Sequence, residues 1–574
     1  MRTAEPCHPV WIGPGFTSHH RALSVSFWIM VLAMALNSSL PAKTRQATAT
    51  KPKATRSEVA AAFFEDPTVR VFDLQISPSD ILQLTRGSKT YVPAELREGE
   101  TVLSKVGVRL KGNGSFRSVS DKPSFSVKFD EYEDQTYRGC KKLMFNNSVQ
   151  DTSYLCELIA TGLFRDAGVP AARVTHARLR LNDRDLGLYV VIEAMNKDFL
   201  KRHFGNAEGN LYQTYIRDIR GPMELENGKD ETRSDISALN EACTISDPAE
   251  RWERLNQVLD VDRFISFIAM EMLTSHWDGY AANVNNYRIY HDPTTDKMVF
   301  ITHGLDGAFK RPSFSIQPPQ RSIVVTALLT TPEGQKLYDQ RVRKLATEVF
   351  KTPVILERMD AALAKLRKAE LPSADLAALE HAIAGKREKI KLRGIRVDEQ
   401  LRGVEPETLK FDAAGVGIPL AWNEEPMRGE PVFDRVQYEG KKTLHIHAPQ
   451  ALTRGSWRSQ MMLKPGYYQF EGLVRTESLA GGVARLRISG DSNGIGGIAG
   501  SSPWQQLSYN FLVTPDSMDV ELVCEITATH GDVWFDLDSL RVKRLEAEPA
   551  IQQRAIRLQQ TNRPEPVLRI ERAR

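Results

Sequence analysis

The sequence predicts a multidomain protein: a mixed α+β core, a helical segment after it, and a C-terminal all-β sandwich of jelly-roll type. Three observations carry that reading. At 574 residues the chain exceeds what one hydrophobic core usually covers. Alternating apolar segments between residues 69 and 129 are followed by two strongly apolar helical segments, 151–168 and 260–272. From Phe411 to about Leu545 the chain turns to short strands, Gly-rich turns and aromatics. A hydrophobic share of 41% and a charged share of 26% exclude a mainly disordered chain and a multi-span membrane protein. A net charge of +4 is too small to predict a nucleic-acid binder.

Residues 1–42 read as a signal peptide. Arg2, His19, His20 and Arg21 precede an apolar run from Leu23 to Leu36, and Leu40-Pro41-Ala42 ends in the small residue a signal peptidase prefers. The run falls short of the roughly 20 residues a bilayer span needs. Retention as an anchor is the alternative to cleavage. Export is expected either way, to the periplasm, the cell surface or the medium, with no transmembrane segment after cleavage. Residues 43–56, rich in Thr, Ala and Lys, read as a flexible basic linker. Cys140, Cys156, Cys243 and Cys524 form no CxxC pair, which argues against a cysteine zinc site and leaves room for one disulfide.

The core is expected over 57–402. Val69 to Leu74, Val106 to Leu110 and Phe125 to Phe129 alternate as strands, with a turn signal at Gly112-Asn113-Gly114-Ser115. A helix over 151–168 takes Asp151 or Thr152 as cap and stops at Gly168 and Pro170. Strands follow at 173–181 and 186–193, then the 260–272 helix and a hairpin of 287–291 with 297–302. Residues 333–402 form a helical subdomain with Pro353 and Pro372 as breaks. The sandwich is expected over 411–545, its aromatics including Trp422, Trp457, Tyr467, Tyr468, Trp504 and Trp534. A polar tail occupies 546–574.

The sharpest chemical signal is His276-Trp277-Asp278 with Asn283 five residues beyond the acid, an H-x-D-x-x-x-x-N pattern. In protein kinases the Asp of such a pattern receives the hydroxyl proton and the Asn holds metal. Leu305-Asp306-Gly307 follows the hairpin, where kinases keep a magnesium-binding Asp. Lys128 lies on a strand from which it could reach nucleotide phosphates, with Lys122 as rival. Glu157, on the following helix, could pair with that lysine. Arg109, before the Gly-rich turn, could meet phosphate. Read singly, each has an ordinary explanation: a helix cap, a strand-ending turn, a lysine extending to water.

Together these residues resemble the CotH family, the atypical protein kinases named for spore coat protein H. The likeness runs from Val69 to Pro312. It is strongest in Val106 to Ser115, Lys122 to Phe129, Leu181 to Glu193, and Trp277-Asp278 through Tyr290 to Gly304-Leu305-Asp306. It implies a kinase-like fold, use of ATP with Mg2+ (Mn2+ as a substitute), and transfer to Ser or Thr of a protein acceptor, a Ser-rich one being a candidate. It implies Asp278 as catalytic acid–base. Asp306 with Asn283 or Asn286 would hold metal, and Lys128 or Lys122, with Arg109, Glu157 and Glu193, would lie on the nucleotide side. The segment His303-Gly304-Leu305-Asp306 lacks the Trp that relatives often carry near the metal Asp, and an Arg frequent near Cys156 is absent. The alternative is therefore a non-catalytic pseudokinase at the cell surface, its sandwich resembling carbohydrate-binding modules and binding a glycan, cell wall or protein.

Overall fold

The computed structural model describes residues 54–546, apart from 87–89, 113–114, 230–231, 406, 450–451, 490–495 and 515–517. The expected signal peptide, nearly all of the linker and tail, and Asn113 and Gly114 of the Gly-rich turn lie outside the described residues. No helix among the described residues is long and apolar enough to cross a membrane.

The first lobe is a closed barrel of seven strands: β1 (Arg70–Gln75), β2 (Val92–Glu98), β3 (Thr101–Lys111), β4 (Ser124–Lys128), β5 (Lys142–Asn146), β6 (Val174–Leu181) and β7 (Arg184–Glu193). Their order is β1-β2-β3-β4-β5-β7-β6, and the parallel β1–β6 pair closes the ring. Closure leaves no strand edge unpaired. Alternation decides which side chains fill it: Val106 and Val108 on β3, Phe125 and Val127 on β4, and Phe145 on β5 are fully buried. The β3–β4 connection is no tight hairpin. Lys111 pairs with Ser124, so twelve residues separate the two strands.

The helix expected from 151 begins at Cys156 and runs to Asp166. Ser148 to Asp151 forms a turn, the Asp151 N–H donating to Ser148 O at 3.0 Å. Asp151 still caps, because its Oδ2 accepts the Cys156 N–H at 2.8 Å. Gly168, with φ of 76°, ends the element as expected.

The second lobe is mainly helical around a small sheet of order β11-β10-β8-β9: β8 (Leu211–Gln213), β9 (Glu224–Asn227), β10 (Tyr287–Asp292) and β11 (Lys297–Thr302). Its central helix, Val261–Leu273, buries nearly every side chain and packs on the Pro332–Glu348 helix. Pro353 lies in the first turn of the Thr352–Leu366 helix, and Pro372 precedes the Ser373–Leu401 helix. The two prolines open helices, as a missing N–H allows, and do not break one. Arg393 of the last helix is fully buried. It donates to Leu273 O (3.1 Å), Met272 O (2.7 Å) and Pro312 O (2.9 Å), and also to Phe314 O.

Beyond Val416 lies a sandwich-like ten-stranded sheet folded over its own core. Its 23-residue strand Gly466–Ile488 pairs with four others through several register shifts, which bend it. Trp422, Trp457 and Tyr468 belong to that core. Trp534 is buried as well and stacks on Tyr438 at 4.4 Å, whereas Trp504 and Tyr467 remain partly exposed. Cys140, Cys156, Cys243 and Cys524 are all free, so the disulfide that the sequence left room for is not formed.

Phe145 meets Phe72 edge-on at 5.3 Å inside the barrel. Phe145→Ala should destabilise this lobe by about 3–5 kcal/mol; urea titration followed by circular dichroism should show an early transition absent from the parent.

Candidate active site

Glu271 is a fully buried acid on an otherwise apolar helix. Its Oε1 accepts the Tyr280 N–H and its Oε2 the Ala281 N–H, each at 2.8 Å. Those are orphan donors at the start of the short helix Tyr280–Asn283, so the carboxylate anchors the loop before it. Gly279 is required by close approach: a Cβ there would lie 2.3 Å from Glu271 Oε1. His276 is buried beside it, Nδ1 at 3.6 Å from Glu271 Oε1 and Nε2 at 3.2 Å from Gly304 O. Burial opposes a charged ring, but Glu271, aided by Asp278, raises the His276 pKa above its ordinary value.

Asp278 lies in this anchored loop and is gripped by three amides. Asn283 Nδ2 donates to Oδ1 at 2.5 Å, Asn285 Nδ2 to Oδ1 at 3.2 Å, and Asn286 Nδ2 to Oδ2 at 2.9 Å. A carboxylate offers about four acceptor positions, so capacity remains on Oδ2 for one more donor. Asn286 also joins this loop to the segment carrying Asp306. Its Oδ1 would lie 2.6 Å from a Cβ on Gly304 (φ 60°), and its backbone O accepts the His303 N–H at 3.1 Å. The buried His276 acts electrostatically on both acids. Asp278 and Asp306 thus lie on adjoining segments.

A second group of charges converges on Asp306. Glu157, at the start of the Cys156–Asp166 helix, is buried, and its Oε2 has no hydrogen-bond partner. Burial and the Asp306 charge push its pKa up to about 7, with the Lys111 ammonium and the Leu305 amide pulling the other way. Burial raises the Asp306 carboxyl too, against Lys111 and Lys310. Burial lowers the Lys111 pKa, opposed by Glu157 and Asp306. Lys111, Glu157 and Asp306 therefore share one poorly solvated space.

That corrects the expectation for Lys128. Lys111 faces Ser124 while Lys128 faces Gly107, so the two lysines stand at opposite ends of the β3–β4 ribbon. Four residues of strand separate them, roughly 13 Å. Lys128 Nζ pairs with Glu131 at 2.7 Å, not with Glu157. Lys122 Nζ donates to Tyr154 Oη at 2.7 Å and lies over the Tyr154 and Tyr189 rings. Arg109 covers the Tyr91 ring at 4.9 Å. Glu193 is locked between Arg173 (2.6 Å) and Arg202 (2.5 Å), which hold it below the usual carboxylate range despite burial. It ties β7 to the Lys197–Phe204 helix and does not join the acidic cluster. Sequence reasoning missed Lys111, Glu271 and Asn285 as site residues. Strand alternation carried a signal for the first, since Gly107, Arg109 and Lys111 share the face opposite Val106 and Val108.

Among the described residues no three His, Cys, Asp or Glu side chains form a metal cage. Mg2+ does not need one, since it binds through one or two carboxylates plus substrate phosphates. The donor set fits that mode. Asp306 accepts no hydrogen bond among the described residues, and the Asn283 and Asn286 amides turn their NH2 groups to Asp278.

Residues 108–376 match the family model described as CotH kinase protein. The chain is similar to the inner spore coat protein H of Bacillus subtilis, 20% identical over 42% of this chain and 69% of that protein. It is also similar to the invasin CotH3 of Rhizopus delemar, 25% identical over 28% of this chain but only 30% of that protein. Among solved structures it is similar to the Helicobacter pylori proinflammatory kinase CtkA, with TM-score 0.22, 10% identity, and coverage of 48% and 94%. A CBM22-1 xylan-binding domain from Paenibacillus barcinonensis Xyn10C gives TM-score 0.16, 14% identity, and coverage of 23% and 90%.

The raised Glu157 pKa makes stability depend on pH. Folded Glu157 keeps its proton up to about pH 7, whereas the unfolded side chain loses it near 4.5. The folded state binds the extra proton between those values, so stability falls as pH rises across that window. Urea midpoints of the nucleotide- and metal-free chain should fall between about pH 5 and about pH 8, and Glu157→Gln should flatten the decline.

Proposed function

We propose, from the match of residues 108–376 to the CotH kinase family model, that this protein is an exported Mg2+-dependent phosphotransferase. It would move the γ-phosphoryl group of ATP to a Ser or Thr hydroxyl of a protein. The observation that carries the reading is the Asp278 carboxylate: aimed by three amides, open at one acceptor position, and tied through Asn286 to the Asp306 segment.

In the reaction the P–O bond to ADP breaks as a P–O bond to the acceptor oxygen forms, and the hydroxyl proton passes to Asp278. Asp278 supplies orientation first, since a held nucleophile needs no further ordering. Lys111 sets a positive charge against the triphosphate, and Glu157 keeps that lysine turned inward. Asp306, with Asn283 and Asn286, would hold Mg2+, which supplies neutralisation of phosphate charge. Lys122 and Arg109, which belong to the barrel lobe, would be further phosphate contacts once released from Tyr154 and Tyr91.

Incubation with labelled ATP, Mg2+ and a Ser-rich acceptor should give incorporation that Asp278→Ala lowers by about 10²–10⁴-fold. Lys111→Ala should abolish stabilisation by Mg-ATP in thermal melts, and Lys128→Ala should leave it in place. Loss with Lys128→Ala and retention with Lys111→Ala would reverse the lysine assignment.

A further inference from the structure

A cavity of about 520 Å3 lies between the second lobe and the C-terminal sandwich, a size ordinary for ligand sites. Asp278 does not line it, but Trp277, its chain neighbour, and Asn283, whose amide donates to Asp278 at 2.5 Å, form part of its wall. Met462, Ile488, Leu512 and Met518 of the sandwich form another part. The sandwich is fixed there by contacts with both lobes. Arg117 Nη2, from the β3–β4 loop, donates to Met427 O at 3.1 Å, and Lys310 Nζ lies 3.8 Å from Glu425 Oε1.

The charges lining the cavity largely answer one another. Arg396 pairs with Glu399 and Glu521 with Arg458, each at 2.7 Å. Asp519 accepts from Gln460, and Arg311 lies over the Trp277 ring at 5.4 Å. The apolar side chains are not answered in this way. Phe314, Met462, Ile488, Leu512 and Met518 all remain partly exposed where they line the space. Contact with such a surface rewards an apolar group and gives a charged one nothing.

We propose that this cavity is the acceptor site, completed by the sandwich, and that it selects a Ser- or Thr-bearing peptide with an apolar side chain beside the acceptor hydroxyl. The assignment rests on the phosphotransfer reading above. It gives the sandwich a part in substrate choice, because two of the walls around the acceptor come from different domains. Methionines there suit adaptable apolar recognition.

The test uses the full chain and a Ser peptide library with each flanking position varied in turn. Initial rates with Mg-ATP should show about tenfold or greater preference for apolar residues at one fixed offset. The Leu512→Ser/Met518→Ser double variant should lose that preference while its thermal stabilisation by Mg-ATP stays unchanged. Anisotropy of the labelled peptides, without nucleotide, reads the cavity independently of chemistry. Transfer with no apolar preference, or a preference that survives in the double variant, overturns this proposal and leaves the phosphotransfer reading standing. Apolar-dependent binding that the variant loses, without any transfer, overturns phosphotransfer and keeps the cavity as a peptide site. Absence of both the transfer preference and the peptide binding overturns the cavity assignment.

Discussion

A carboxylate sealed inside the second lobe governs the geometry of the cleft. Stripping water from a charged acid is expensive unless donors replace it. Glu271 finds those donors in two backbone amides from one loop, with His276 alongside. The loop cannot shift without leaving that charge unanswered. The direction of Asp278 follows from this constraint, as does the amide grip upon it. Gly279 follows as well, because any side chain there would collide with the acid.

The barrel plays the complementary part. Strand pairing sets Lys111 at the end of β3, where it acts on Glu157 and Asp306 through space. The three groups perturb one another strongly because burial keeps water from screening them. A charged triphosphate with its cation would replace that missing water.

Much of the architecture was legible in the sequence, and the failures have physical causes. Alternation located β1, β3, β4, β6 and β7, and apolar periodicity located the Val261–Leu273 helix. Barrel closure was hidden, since it depends on which distant strands meet. The Cys156–Asp166 helix starts later than its pattern implied because Asp151 caps from outside the element. Spacing and order singled out Asp278 and Asp306, which the fold sets on adjoining segments. Lys128 was chosen for lying on a strand, but strand ends matter: of the two positions on one β-ribbon, Lys111 is the one that interacts with Glu157 and Asp306, while Lys128 pairs with Glu131. Glu271 looked like a stray polar residue in an apolar helix. Nothing in the local pattern says that its partners lie in the next loop.

The buried guanidinium of Arg393 has a consequence for where the kinase-like body stops. The family match ends at residue 376, yet Arg393 binds four carbonyls, two at the end of the Val261–Leu273 helix and two just past the Asp306 segment. A fragment trimmed at the family boundary would lose the clasp that fastens those two stretches together. The packing that Arg393 completes thus extends beyond the family match, into the Ser373–Leu401 helix.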